Sequence, residues 1–441
     1  MQSPEDIMGL FAAKRVDDEW SFAEYSRSET GKWTHRYHRY PAKFIPQLVE
    51  KLIDEYVDCP DAHINDPFYG CGTTIVTALS RGFRASGTDI NKIAYLIAKV
   101  KSRPIEPGYL RQKVGQFVAE MTSFTSAQRS LLGKRLEPLV PEKHIDRIDY
   151  WFTEENQTEL GKILRIISQE QDNVIRDFLL VAFSHVLKNC SIWLQRSTKP
   201  TRDFKKKPSR PHAALAKHLR KMQRANRAFY DVVPSKVRDN FDEYLNITIG
   251  DARSQPVADG TVDLLVSSSP YVTSYEYADL HQLSTIWLDL ADDLTDYKKQ
   301  FIGTSRKAHA SKRLRSAIAR DIVGRMLAKN KRAGQATEAF YADMQEVFDE
   351  SFRVMRPGGR CCYVIGDTRL KGVDILNAEV FAESLQYSGF QLDRVIKRLI
   401  PSKILPQKRD LKTGRFASND DANSEAYPVE YIVVGLKEGE E

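Results

Sequence analysis

Apolar positions recur along this chain at two different periods, and their alternation predicts the architecture. Ile45, Leu48, Val49, Leu52, Ile53 and Tyr56 lie three or four residues apart after Pro41 and Pro46, the period of a helix with one buried face. Ala62-His-Ile-Asn-Asp66 and Phe83-Arg-Ala-Ser-Gly-Thr-Asp89 are short runs bounded by turn residues and read as strands. A helix is predicted after each, from Thr74 to Leu79 and from about Asn91 to Lys99. Strand, helix, strand, helix in that order predicts a parallel, doubly wound sheet.

From Gly108 to about Phe241 the strand signal disappears. Val174, Phe178, Leu179, Val181, Ala182 and Val186 recur at helical intervals, which predicts a helical insertion within the sheet domain. Strands are expected again at Leu245 to Ile249, Val262 to Val266 and Cys361 to Ile365. A helix from Glu338 to Met355 is expected to stop at Pro357-Gly-Gly359. Phe390 to Ile400 and Glu430 to Leu436 suit an antiparallel pair that brackets a polar loop, Lys408 to Arg415. The expected fold class is α/β, a mostly parallel sheet with a C-terminal antiparallel pair. The chain divides at 1–104, 105–240 for the helical insertion, and 241–441.

Two segments carry chemistry. In Asp66-Pro67-Phe68-Tyr-Gly70-Cys-Gly72-Thr73, the glycines clear side chains from a strand end, where a nucleotide-like ligand must lie against backbone. Asp89, at the end of the next strand and followed by Ile90, suits the hydroxyls of a ribose. With Asp66 placed for a ligand's amino group, the set favours S-adenosylmethionine over a phosphate-bearing dinucleotide. Asp251, followed by Ala252, ends a third strand and can reach an adenine amine, although a loop acid or helix cap has the same appearance. The second segment is Ser267-Ser268-Ser269-Pro270-Tyr271, after the strand Val262 to Val266. Its hydroxyl and backbone carbonyl can orient the hydrogens of an exocyclic amine, and its ring can stack on an extruded base.

These residues resemble the bacterial amino-methyltransferases that act on DNA. Asp66 to Thr74 is similar to their cofactor loop, and Ser268 to Tyr271 to their (Ser/Asn/Asp)-Pro-Pro-(Tyr/Phe/Trp) catalytic motif. His38-Arg-Tyr40-Pro41-Ala-Lys43-Phe44 resembles the segment that packs over the methionine part of the cofactor. Tyr275 to Leu280, Arg356 to Arg360, Pro401 to Lys403 and Thr413 to Phe416 also look familiar from the group. The resemblance covers about 32–100 and 245–436. It implies a Rossmann-like methyltransferase sheet with S-adenosyl-L-methionine as cofactor. The implied activity is methylation of a base amine in double-stranded DNA, in the manner of a restriction-modification enzyme. Ser269 departs from the pattern, which has proline there. Ser268 in the first position is more usual for cytosine N4, Asp or Asn for adenine N6, so cytosine N4 is favoured and adenine N6 stays open. Methylation of RNA and a non-catalytic, nucleic-acid-binding relic of the fold are further alternatives. Methylation at cytosine C5 needs a cysteine nucleophile beside the proline, and Cys361 and Cys362 fall on a predicted core strand.

Charge adds a partner. The 441 residues carry a net +7, and the excess is concentrated. Between Arg196 and Arg227 lie Lys205, Lys206, Lys207, Arg210, Arg220 and Lys221 among other cations, with Asp203 the one acid. A second run spans Arg306 to Arg332 and includes Arg313 and Arg315. A basic run alone is as readily a solvated helix face, but beside this core either run suits DNA phosphates. The insertion is the first choice for reading target sequence, and 401–427 the second. A cognate endonuclease acting on the same site without a stable complex is an expected partner. The five cysteines lack metal-ligand or disulfide spacing, so no metal is expected. The start of the chain has no basic-then-apolar leader, and Phe178 to Leu194 is too short and polar to span a bilayer, so a cytoplasmic, nucleoid-associated protein is expected.

Overall fold

The structure is a computed structural model that describes all residues except 41–43, 126–135, 198–199, 273–276, 305–312, 401–407, 410–423, 426–428 and 440–441. Seven strands form its main sheet: β1 (His63–Asp66), β2 (Arg84–Asp89), β3 (Leu245–Ile249), β4 (Val262–Ser268), β5 (Met355–Ile365), β6 (Gln391–Leu399) and β7 (Val429–Leu436). Their spatial order is β3-β2-β1-β4-β5-β7-β6. The first five run parallel, and β7 is antiparallel to both β5 and β6. The fold is Rossmann-like α/β, with the expected antiparallel pair at one edge.

At the centre of the sheet both faces are covered, so β4 and β5 are apolar on both sides. Cys361, Tyr363 and Ile365 of β5 enter one core with the helices Lys331–Val354 and Asn377–Tyr387. Cys362 and Val364 enter the opposite core with α2 (Pro46–Tyr56) and α3 (Thr73–Ser80). Such double burial explains why the central strands β4 and β5 contain near-continuous apolar runs. The Pro357-Gly-Gly359 signal works differently from expectation. The helix ends at Val354, and the glycines fall inside β5, where the pairing slips from Val262↔Met355 to Leu264↔Arg360. Gly358 sits at φ +77°, and a Cβ on Gly359 would lie 2.6 Å from the Met355 sulfur, so the tripeptide builds a bulge.

Chain order along the sheet reverses between β1 and β4. At such a switch point the connections leave in opposite directions and open a crevice beyond the strands' carboxyl ends. Ile64 pairs with Leu264, and Asp66 with Gly87, so Asp66, Asp89 and Ser268 come to one rim.

After α4 (Lys92–Ser102), the insertion contributes α5 (Pro107–Thr125), α6 (Ile145–Trp151), α7 (Glu154–Gln169), α8 (Asn173–Cys190) and α9 (Pro211–Val232). These helices share one apolar core with Ile93 and Ile97 of α4 and with Leu283, Ile286 and Trp287, which lie beyond the second motif. Further along α9, Phe229 reaches the core of the sheet.

Gly87 marks the tightest point of the sheet, because a Cβ there would stand 2.2 Å from the Asp66 carbonyl oxygen. Gly87→Ala is expected to cost about 3 kcal/mol by forcing β1 and β2 apart. A urea titration checks this, and an unchanged midpoint would contradict it.

Candidate active site

The loop from Asp66 to Gly72 wraps the mouth of the crevice. The Asp66 carboxyl is buried; its Oδ1 accepts from the Phe68 N–H at 3.0 Å and from the Ser267 hydroxyl at 2.7 Å. Burial pushes this group up to about 7. At the end of β2, Asp89 accepts the Gly70 N–H at 2.9 Å and the Asn91 N–H at 2.8 Å, and burial pushes it up to about 6. The two glycines serve different ends. Gly70, at φ +50°, lets the Tyr40 ring lie 3.3 Å from where its Cβ would be. Gly72, at φ +75°, caps α3 and lets Ala98 of α4 approach to 3.0 Å of the same position.

A cleft, open at its mouth, lies over this loop. Tyr40, Phe44, Asp66, Pro67, Phe68, Gly70, Thr73, Asp89, Ile90, Asp251 and Ala252 line it, and Ser268 and Pro270 reach it from β4. Gly72, Ser269, Tyr271 and His38 do not line it, while Pro41 and Lys43 lie outside the described residues. Ser269 is buried, and its hydroxyl has no protein partner. Tyr271 packs partly buried against the sheet core, its hydroxyl 3.5 Å from where a Cβ on Gly366 would be.

His38 turns away from the cleft into a cluster of buried histidines. Its Nε2 lies 2.9 Å from the Ser184 hydroxyl of α8, and its ring is 5.6 Å from His185. His185 stacks on His218 of α9 at 3.7 Å, and His281 stacks on Tyr40 at 4.8 Å. Burial pushes His38 down to about 3 and both His218 and His281 down to about 4, so these three rings are neutral at ordinary pH.

Asp251 lines the cleft but is engaged by its neighbour. Arg253 spans the carboxylate with Nε at 3.0 Å and an Nη at 2.6 Å, while its other Nη bonds Asp343 at 2.6 Å. The sequence allows Asp251 either to reach an adenine amine or to serve as a loop acid, and here the guanidinium fork of Arg253 holds it. Sequence reasoning also passed over Lys101, which is fully buried and donates to the Cys71 carbonyl at 2.5 Å beneath the loop. Its signal was present, since it falls four residues after Ile97 on the apolar face of α4. Gln300, Phe301 and Ile302, which close the far wall, left no comparable pattern.

The basic residues divide into two groups. Lys205, Lys207, Arg220, Lys221 and Arg313 are exposed, and Arg210 is exposed but paired with Glu155 at 2.6 Å. Lys206 and Arg315 turn inward, against expectation. Lys206 donates to the carbonyls of Lys188 and Trp193 at 2.7 Å, and Arg315 bonds Asp349 at 2.6 Å.

Two buried carboxyls held near neutrality, a side-chain-free backbone turn and apolar walls at Phe44, Phe68 and Phe301 suit a ligand that is part nucleoside and part cation. S-adenosylmethionine has this composition and supplies an activated methyl group when bound. Fold and cleft thus define an S-adenosylmethionine-dependent methyltransferase. Residues 10–100 match the family model described as DNA methylase. The Type II methyltransferase M.MvaI of Kocuria varians is 26% identical over 90% of this chain and 90% of its own length. The Type II methyltransferase M.MjaII of Methanocaldococcus jannaschii is 33% identical over 34% of this chain and 27% of its own. Among solved structures, a methyltransferase dependent on the same cofactor from Methanosarcina mazei aligns over 91% of this chain and 100% of its own, at 10% identity and a TM-score of 0.30. Among the described residues no group of side chains suits a metal ion, and no helix is long and apolar enough to cross a membrane.

The raised Asp66 carboxyl has a consequence for binding. A cationic ligand is held by the ionised form, so below about pH 7 binding must displace a proton. Affinity for S-adenosylmethionine, followed by calorimetry, is expected to fall up to about tenfold per pH unit below 7 and to level off above it. Asp66→Asn should flatten that slope and weaken binding at pH 8 by on the order of tenfold. A flat profile in the unaltered protein would rule out Asp66 as the titrating group.

Proposed function

We propose that this protein is a site-specific methyltransferase that places a methyl group on the N4 amine of cytosine in double-stranded DNA. The observation that carries the reading is Ser268 at the cleft rim, on the strand whose preceding residue is bonded to Asp66. The lone pair of a cytosine amine is delocalised into the ring, and an acceptor that holds its N–H hydrogens turns the nitrogen toward a methyl donor. In this reading Ser268 Oγ and a neighbouring backbone carbonyl are those acceptors, and Pro270 and Tyr271 form the wall for an extruded base. Positioning in a water-poor pocket then supplies most of the rate, without a covalent intermediate. Asp66, Asp89 and the Gly70 turn hold the cofactor, with Asp251, fixed by the Arg253 fork, beside them on the cleft wall.

In the same reading residues 105–240 serve as the target-recognition part, since they carry the exposed cations of α9 and share a core with the cofactor half. A cognate endonuclease that cuts the same unmethylated site would complete a restriction-modification pair. Buried on β5 with their thiols pushed up by burial, Cys361 and Cys362 are not nucleophiles for C5 chemistry.

Mass spectrometry of nucleosides tests the assignment. After incubation with S-adenosylmethionine and unmethylated genomic DNA, the digest is expected to contain N4-methylcytosine, and Ser268→Ala to lower its rate of formation about 100-fold with cofactor affinity unchanged. N6-methyladenine in its place would overturn the use made of Ser268. A mark confined to total RNA would move the substrate class.

A further inference from the structure

Phe204 is 77% exposed, on a turn built to keep it so. The Lys206 N–H donates to the Asp203 carbonyl at 3.2 Å and the Lys205 N–H to the Asp203 carboxylate at 3.0 Å, which leaves Phe204 and Lys205 at the tip. The turn is anchored at its base. Asp203 N–H donates to the Ile192 carbonyl at 2.8 Å, and the Lys206 ammonium is pegged on two backbone carbonyls. Behind the tip runs a ladder of flat groups. Trp193 stacks on Trp151 at 5.0 Å, Trp151 meets Tyr150 edge-on at 5.0 Å, and the Arg202 guanidinium lies 4.3 Å from the Tyr150 ring and 4.5 Å from that of Phe204. The ladder begins in the core of the insertion and ends in solvent.

The turn is also wired to the cleft. Lys206 Nζ reaches Gln195 at 3.4 Å, Gln195 donates to Asn189 Oδ1 at 3.0 Å, and Arg39 donates to the same oxygen at 3.4 Å. Arg39 precedes Tyr40 on the cleft wall.

We propose that Phe204 is a wedge that enters the base stack of the DNA duplex beside the target base, while Arg202, Lys205 and Lys207 hold the flanking phosphates. The proposal rests on double-stranded DNA being the substrate. An apolar side chain driven between base steps unstacks them, which lowers the cost of extruding a neighbouring base. A rigid mount is what a wedge requires, since a mobile ring would be pushed aside. The charge around it favours a polyanion over a protein partner, and one protruding ring is far too small a surface for a stable protein interface.

Methylation of unmethylated genomic DNA, with sheared fragments of the same DNA for binding, tests the wedge. Phe204→Ala is expected to lower kcat/KM by about tenfold or more and Phe204→Trp to keep it within about threefold, both with unaltered thermal melting and cofactor affinity. Emission from the tryptophan introduced at 204, taken as the difference from the unaltered protein, should be quenched when DNA binds. Lys205→Ala should reduce the salt dependence of binding by about one phosphate contact, and Phe204→Ala should leave it unchanged. A Phe204→Ala enzyme within twofold of the unaltered protein, or emission at 204 indifferent to DNA, would overturn the wedge while DNA methylation itself stands. An unaltered protein that neither binds nor marks DNA would overturn both.

Discussion

The hydrogen bond from the Ser267 hydroxyl to Asp66 joins residues 201 positions apart in the chain, and the site depends on it. β1 and β4 meet where the sheet reverses its order, so the end of one carries the glycine loop and the end of the other the Ser268-Ser-Pro270 turn. A buried carboxyl without partners would cost several kcal/mol, and the Ser267 hydroxyl and the Phe68 N–H offset part of that cost. They leave the group near neutrality, because neither donor carries a charge. Such a carboxyl gains most from a cation, so the tension at the centre of the sheet is relieved by a ligand. The same logic extends to Asp89, which accepts two backbone N–H groups and is likewise lifted by burial.

The insertion is coupled to this centre through aromatic contact. The exposed face of α9 carries Lys217, Arg220, Lys221 and Arg224, while its buried face carries Leu215, His218, Leu219 and Met222. His218 stacks on His185, which meets His38; His38 lies beside His281, and His281 stacks on Tyr40 over the glycine loop. Two parallel rings 3.7 Å apart would repel if both were charged, so the joint requires neutral histidines, and burial keeps them so. A helix that presents cations to solvent is thereby only a few rings from the wall of the cleft.

Where a residue's environment follows from its nearest neighbours in sequence, its place was legible. The strand-loop-helix units around Asp66 and Asp89 and the antiparallel β6–β7 pair stand as their periodicity predicts, since each is defined by local alternation. What was not legible depends on partners distant in the chain. His38 was read with the cofactor segment through the resemblance of His38 to Phe44, yet its ring bonds Ser184 and meets His185, both on α8. Lys206 and Arg315 were read as surface cations, and only the folded backbone reveals the carbonyls and the acid that turn them inward. Asp251 is an intermediate case: Arg253 lies two residues away in plain view, but its fork needs the turn that bends it back. The helix before Pro357-Gly-Gly359 stops within one residue of its expected end, but the tripeptide itself lies in β5 as a bulge, a role that its local pattern does not show.

The serine at 269 is best understood from the alternation of the extended chain that carries it. Ser268 and Pro270 reach the cleft, whereas Ser267 and Ser269 are buried on the opposite side. Residues on an extended segment alternate in this way, so a change at 269 falls on the inner face. Proline there would restrict φ and bring no hydrogen-bonding side chain; serine gives up the restriction and encloses a hydroxyl that has no protein partner. Its cost therefore falls on the stability and rigidity of the turn, about 1–3 kcal/mol for the enclosed hydroxyl. The surface turned to the cleft is still set by Ser268 and by Pro270, whose ring holds its own backbone angle. A serine at this position thus alters how firmly the turn is held, and leaves the groups that line the cleft in place.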